Sequence, residues 1–208
     1  MAITTGRFNP ATIRGRIIDN NWPDNADDID GTLIIAPTSI SFSGTSASAN
    51  GNGFVEFESV SELSLNGIFS SSYEDYIIIL NCFASTSTPA IYYRLMAGVN
   101  VAATNYYRQY LYANNTSVTS TRSTGQSVGF IGHVDSGTNE TSATTVYFYR
   151  PYLESQTYSK SQCTSQNNTI NIMNDVCVHR TSQSNTGLYI FPSTGLITGQ
   201  VSVLGVVS

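Results

Sequence analysis

Tyr76-Ile77-Ile78-Ile79-Leu80 is an unbroken apolar run in which four of the five residues are β-branched or aromatic. Such a run is too short for a core helix and reads as a strand buried on both faces, hence a central one. Two neighbouring stretches confirm a period of two. In Val146-Tyr147-Phe148-Tyr149-Arg150, Val146 and Phe148 share one face and Tyr147 and Tyr149 the other. In Gly53-Phe54-Val55-Glu56-Phe57-Glu58, the two Phe are expected to face the core while the two Glu face solvent.

Outward from these stretches the same texture recurs. Strands are expected at Thr38–Ser43, Phe54–Val60, Glu62–Leu65, Tyr76–Phe83, Ile91–Ala97 and Asn105–Tyr112. More follow at Ser127–Val134, Thr144–Tyr149, Ile170–Met173, Val176–Arg180, Leu188–Phe191 and Thr198–Val206. Ser, Thr, Asn and Gly separate them, and no window sustains a period of about 3.6 residues. Short strands without intervening helices predict an all-β, jelly-roll-like antiparallel β-sandwich over residues 37–208. Residues 114–125 and 135–143, almost wholly polar, are expected as exposed, mobile tips.

Residues 1–36 differ. They hold the only Trp (Trp22), the basic residues Arg7, Arg14 and Arg16, and an acidic stretch through Asp24, Asp27, Asp28 and Asp30, without periodicity. This segment reads as an extended N-terminal arm that docks on a partner through Arg7, Arg14, Arg16 and Trp22.

Charged residues are 11% of the 208, Lys160 is the only Lys, and the net charge is −5. Phosphate contacts dominate nucleic-acid affinity, so this balance excludes nucleic acid as a partner. Few charges also leave few with which to blunt sheet edges, which points to edges covered by further copies of the chain. Nothing resembles a signal peptide or a membrane-spanning run, so synthesis in a cytoplasm is expected, with no membrane partner. Cys82, Cys163 and Cys177 are odd in number and irregularly spaced; buried thiols are favoured over a Cys163–Cys177 disulfide.

Candidate chemistry is sparse. Gly125-Gln126-Ser127-Val128-Gly129 matches the nucleophile-elbow pattern, but more strand follows it rather than the helix that motif requires. His133 with Asp135, and Cys177 with His179, are two apart on apparent strands and read as structural. Asp24–Gly31 has oxygen ligands but not the spacing of a calcium loop. Matches to the glycosylation pattern at Asn114, Asn115, Asn139 and Asn167 carry little in so Ser/Thr-rich a chain. Paired carboxylates among Glu56, Glu58, Glu74 and Asp75 are the weakest catalytic option, for glycan hydrolysis. No enzyme activity, cofactor or metal is expected. Tyr is the more telling residue: Tyr92, Tyr93, Tyr106, Tyr107, Tyr110 and Tyr112 crowd two strands, as a ligand surface or a subunit interface.

Ser59-Val60-Ser61-Glu62-Leu63-Ser64-Leu65-Asn66-Gly67-Ile68-Phe69-Ser70-Ser71-Ser72-Tyr73-Glu74-Asp75-Tyr76 resembles a segment of tailed-bacteriophage virion proteins. Gly187–Pro192 with Gly199–Gly205 resembles their closing hairpin. The motif makes sense as a folded corner, with Leu63, Leu65, Ile68, Phe69 and Tyr73 entering the core and Gly67 making the turn. The resemblance implies a virion structural protein, tail fibre or minor tail component, that presents a host-attachment surface. A capsid decoration protein pinned by its arm is the alternative, and a cellular carbohydrate-binding module a further one. It also implies a homotrimer and location in the virion; the arm, which the resemblance does not cover, is then expected to dock on other virion proteins, and the tyrosines suit a host surface glycan as ligand.

Overall fold

The computed structural model describes residues 32–85, 88–114, 117–136, 142–166 and 170–206. The docking residues Arg7, Arg14, Arg16 and Trp22, the acidic stretch 24–31, and most of the tip at 135–143 lie outside them.

Fourteen strands and no helix make up the described residues: β1 (Thr32–Ile34), β2 (Ser39–Ala49), β3 (Val55–Asn66), β4 (Asp75–Ala84), β5 (Ala90–Ala97), β6 (Asn100–Val101) and β7 (Tyr106–Asn114) come first. They are followed by β8 (Ser117–Gln126), β9 (Gly129–His133), β10 (Ser142–Tyr149), β11 (Ser155–Gln166), β12 (Ile170–Gln183), β13 (Gly187–Pro192) and β14 (Ile197–Val206). All named strands pair antiparallel, and the sheet curls on itself as a jelly-roll-like sandwich. Residues 32–34, part of the arm on sequence, form β1 against Leu204–Val206 of β14.

The central strand is where the sequence places it. β4 lies between β14 and β10, with Ile78 opposite Val203 and Val146. Only one of its faces is sealed: Tyr76, Ile78 and Leu80 are buried, whereas Ile79 is 36% exposed. Val146 and Phe148 point inward and Tyr147 and Tyr149 outward, as expected. In β3 the inward pair is Val55 and Phe57, not Phe54 and Phe57. Residues three apart fall on opposite faces of a strand, and those two apart on the same one.

β3 pairs with three strands. β2 runs the length of one of its edges. The other edge is divided, Val55–Val60 pairing with β14 and Leu63–Leu65 with β13. The bend falls at Ser59, whose φ is 47°, and opposite it the register of β2 slips at Gly44. At Gly44 (φ +147°) a Cβ would stand 2.2 Å from the Ser59 carbonyl oxygen, so only glycine lets the two strands turn together. β13 and β14 are therefore not the hairpin expected from the resemblance; they sit end to end along β3.

The expected corner is present. Leu63, Leu65, Ile68 and Phe69 are buried, Tyr73 packs against the core, and Gly67 takes φ +68°. The core continues through edge-to-face rings: Phe69 to Tyr76 at 4.8 Å, Tyr93 to Phe148 at 5.1 Å and Tyr93 to Tyr106 at 5.8 Å.

Of the mobile tip expected at 114–125, residues 117–125 belong instead to β8, paired along β7. β8 is exposed on nearly every residue, so no hydrophobic alternation announces it. β11 was not expected at all. Its buried face is Thr157, Ser159, Ser161, Cys163 and Ser165, small because β9 lies directly over it. A Cβ at Gly132 of β9 would stand 2.6 Å from the Cys163 sulfur.

Candidate functional site: an aromatic ribbon with two arginines

The sequence groups six tyrosines, and the structure divides them three ways. Tyr93 and Tyr106 are core residues, at 1% and 0% exposure. Each spends its hydroxyl inside, as a buried Tyr must. Tyr93 shares a 2.7 Å hydrogen bond with Ser159, and Tyr106 accepts from the Leu95 amide and donates to the Ala102 carbonyl. Burial pushes both phenols upward, so neither ionises at physiological pH. Tyr107 projects to the other side of β7, where the Arg180 guanidinium lies 4.0 Å from its ring centroid. It lines an open groove of about 490 Å³ with Arg122, Leu111, Val176 and Val178.

Tyr92, Tyr110 and Tyr112 form the third group, joined by residues that the sequence does not single out for this role. Ring centroids link Tyr189 to Phe191 at 5.1 Å, Phe191 to Tyr92 at 5.8 Å, and Tyr92 to Phe130 at 5.9 Å. The line continues from Phe130 to Tyr110 at 5.7 Å and to His133 at 5.5 Å, and from His133 to Tyr112 at 6.2 Å. Seven rings thus run across β13, β5, β9 and β7. Phe130 is buried and the other six are half-buried.

Two arginines lie on this ribbon. The Arg94 guanidinium is 5.1 Å from the Phe191 centroid, its Nε–H donating to the Ser127 carbonyl. The Arg108 guanidinium is within 4.9 Å of Phe130, 5.8 Å of Tyr92 and 6.0 Å of Tyr110. Stacked cations on rings, with part of each ring open, suit flat or ring-shaped polar ligands and protein side chains alike. Sequence reasoning sees the tyrosines because two strands carry them. Phe130 and His133 on β9, and Tyr189 and Phe191 on β13, lie far along the chain and are brought beside Tyr92 only by pairing with β5.

Other candidates are placed apart. Ser127, in the nucleophile-elbow pattern, lies between β8 and β9 with no helix after it. Cys177 and His179 share the buried face of β12, but burial pushes the thiol up to about 12 and the imidazole down, so neither is poised for nucleophilic work. All three cysteines are free and buried. Cys163 pairs across from Met173, four residues along β12 from Cys177, which is roughly 14 Å and beyond disulfide reach.

Glu56 and Glu58 project from the outer face of β3 into a groove of about 590 Å³ with Ser46, Ser48, Asn81 and Gln200. Asp75 is six residues along β4 from Asn81, roughly 20 Å away, so the two carboxylate pairs do not converge. No cluster of three or more metal-ligating side chains occurs among the described residues.

No protein-family description matches the chain, and no curated protein does. Among solved structures it is similar to the C-terminal CBM6 of LamC, a marine laminarinase from Zobellia galactanivorans, at 12% identity and a TM-score of 0.31. That alignment covers 83% of this chain and 98% of the other.

Proposed function

We propose that the chain is a bacteriophage virion structural protein, a tail-associated fibre or minor tail component that presents a host-attachment surface. The observation that carries this reading is the ribbon, seven half-open or buried rings with Arg94 and Arg108 laid on them in a β-sandwich with very few charges. Tyr and Arg are enriched among the residues that carry binding energy, and aromatic rings bury a large area with few rotatable bonds. The resemblance of residues 59–76 to tailed-phage proteins supplies the class, and the corner they fold supplies the physical sense of that motif.

In this reading the chain acts without catalysis, assembles as a homotrimer, joins other virion proteins through residues 1–36, and meets a host surface glycan at the ribbon. Quantitative mass spectrometry of purified particles tests it, counting this chain against the major capsid protein. A few copies per particle support the tail placement. A number comparable to the capsid protein makes it a capsid decoration protein, and absence from particles leaves the cellular carbohydrate-binding module.

A further inference from the structure

Beneath the ribbon, five side-chain polar atoms are buried in one place without a hydrogen-bond partner: Arg108 Nε and Nη1, Asp175 Oδ1 and Oδ2, and Ser161 Oγ. The strand register explains why they meet. Asp175 on β12 stands opposite Ser161 on one side and Tyr110 on the other, while Arg108 stands opposite Cys177, the next inward residue. Arg108 and Asp175 are thus diagonal neighbours on one face of the sheet, within reach of long side chains. Asp175 is 1% exposed and Ser161 is 2% exposed.

Buried polar groups in folded proteins are almost always satisfied, and a cluster left over indicates an occupant. The occupant must accept from two guanidinium N–H groups and donate to two carboxylate oxygens. It must also be small enough to sit among Cys177, Phe130 and Tyr110. Water meets all three conditions. It also tolerates either protonation state of Asp175, whose carboxyl burial pushes up to about 7 against the opposing pull of Arg108.

We propose that ordered water bridges Arg108 to Asp175 and Ser161, and that Asp175 is through this water a positioning residue holding the Arg108 guanidinium over the Phe130 ring. The inference stands whatever the ribbon binds. A high-resolution crystal structure of the full chain should show water within hydrogen-bond distance of both an Asp175 oxygen and an Arg108 nitrogen. A direct Arg108–Asp175 ion pair, or an empty gap, would overturn it.

The positioning role is read by proton exchange at Arg108 Nε in nitrogen-15 spectra. Asp175→Leu should speed that exchange at least about tenfold with backbone amides unchanged, and Asp175→Asn, which still bonds water, should restore protection. Unaltered exchange in Asp175→Leu would sink it. Should that variant not fold, the water position in the unaltered protein decides the matter.

Discussion

Asp175 holds its proton more tightly folded than unfolded, because burial disfavours the carboxylate more than Arg108 rescues it. Its neighbours on the same face are Arg108 and Tyr110 from β7, Ser161 from β11, and Cys177 on its own strand. Between about pH 4 and about pH 7 the folded state therefore binds more protons, and stability falls as pH rises through that window. His133 and His179, pushed down by burial, act oppositely and withdraw stability as pH drops below about 6.5. Asp175→Asn should thus gain stability over the unaltered chain at pH 8, on the order of 4 kcal/mol, with the gain vanishing near pH 4. Urea unfolding across pH measures this, and a constant difference between the two proteins would refute it.

Gly129 and Gly132 make a second prediction at this scale. A Cβ at Gly129 would stand 2.1 Å from the Tyr93 ring, which Ser159 holds in place, and one at Gly132 would meet Cys163. Alanine at either should cost about 1–3 kcal/mol by overpacking, read from the urea midpoint.

At the scale of elements, what the sequence discloses is what hydrophobic contrast discloses. β4 and β10 were legible because apolar residues mark an inward face. β11 escaped because its inward face is Ser, Thr and Cys, a composition that reads as loop until β9 is seen resting on it. β12 reads as two strands because the buried acid Asp175 interrupts its apolar run, yet it is one, from Ile170 to Gln183. Half of the tyrosine surface was likewise legible, since alternation shows that neighbouring tyrosines face apart but not which side is the core. β2 carries the third prediction. Its eleven residues have no charge, and among the described residues it pairs only with β3, leaving the other edge without a partner strand. If copies of the chain cover that edge in a trimer, Ser43→Lys should shift the sedimentation coefficient toward monomer while leaving the circular dichroism spectrum unchanged. An unaltered coefficient would place the interface elsewhere.

For the whole molecule, the attachment reading predicts that Tyr92→Ala and Tyr189→Ala each weaken adsorption of purified protein to host cells about tenfold or more, with melting temperatures little changed. Equal adsorption by both variants would remove the ribbon from recognition. The pairing of β1 with β14 carries a mechanical consequence. Thr32 faces Val206, so the described domain begins and ends at one spot. Tension between those two points would peel β1 away one residue pair at a time, at low force. Any pull applied through Thr32 reaches the rest of the sheet across those three residue pairs, so β1 is the element that gives first under load.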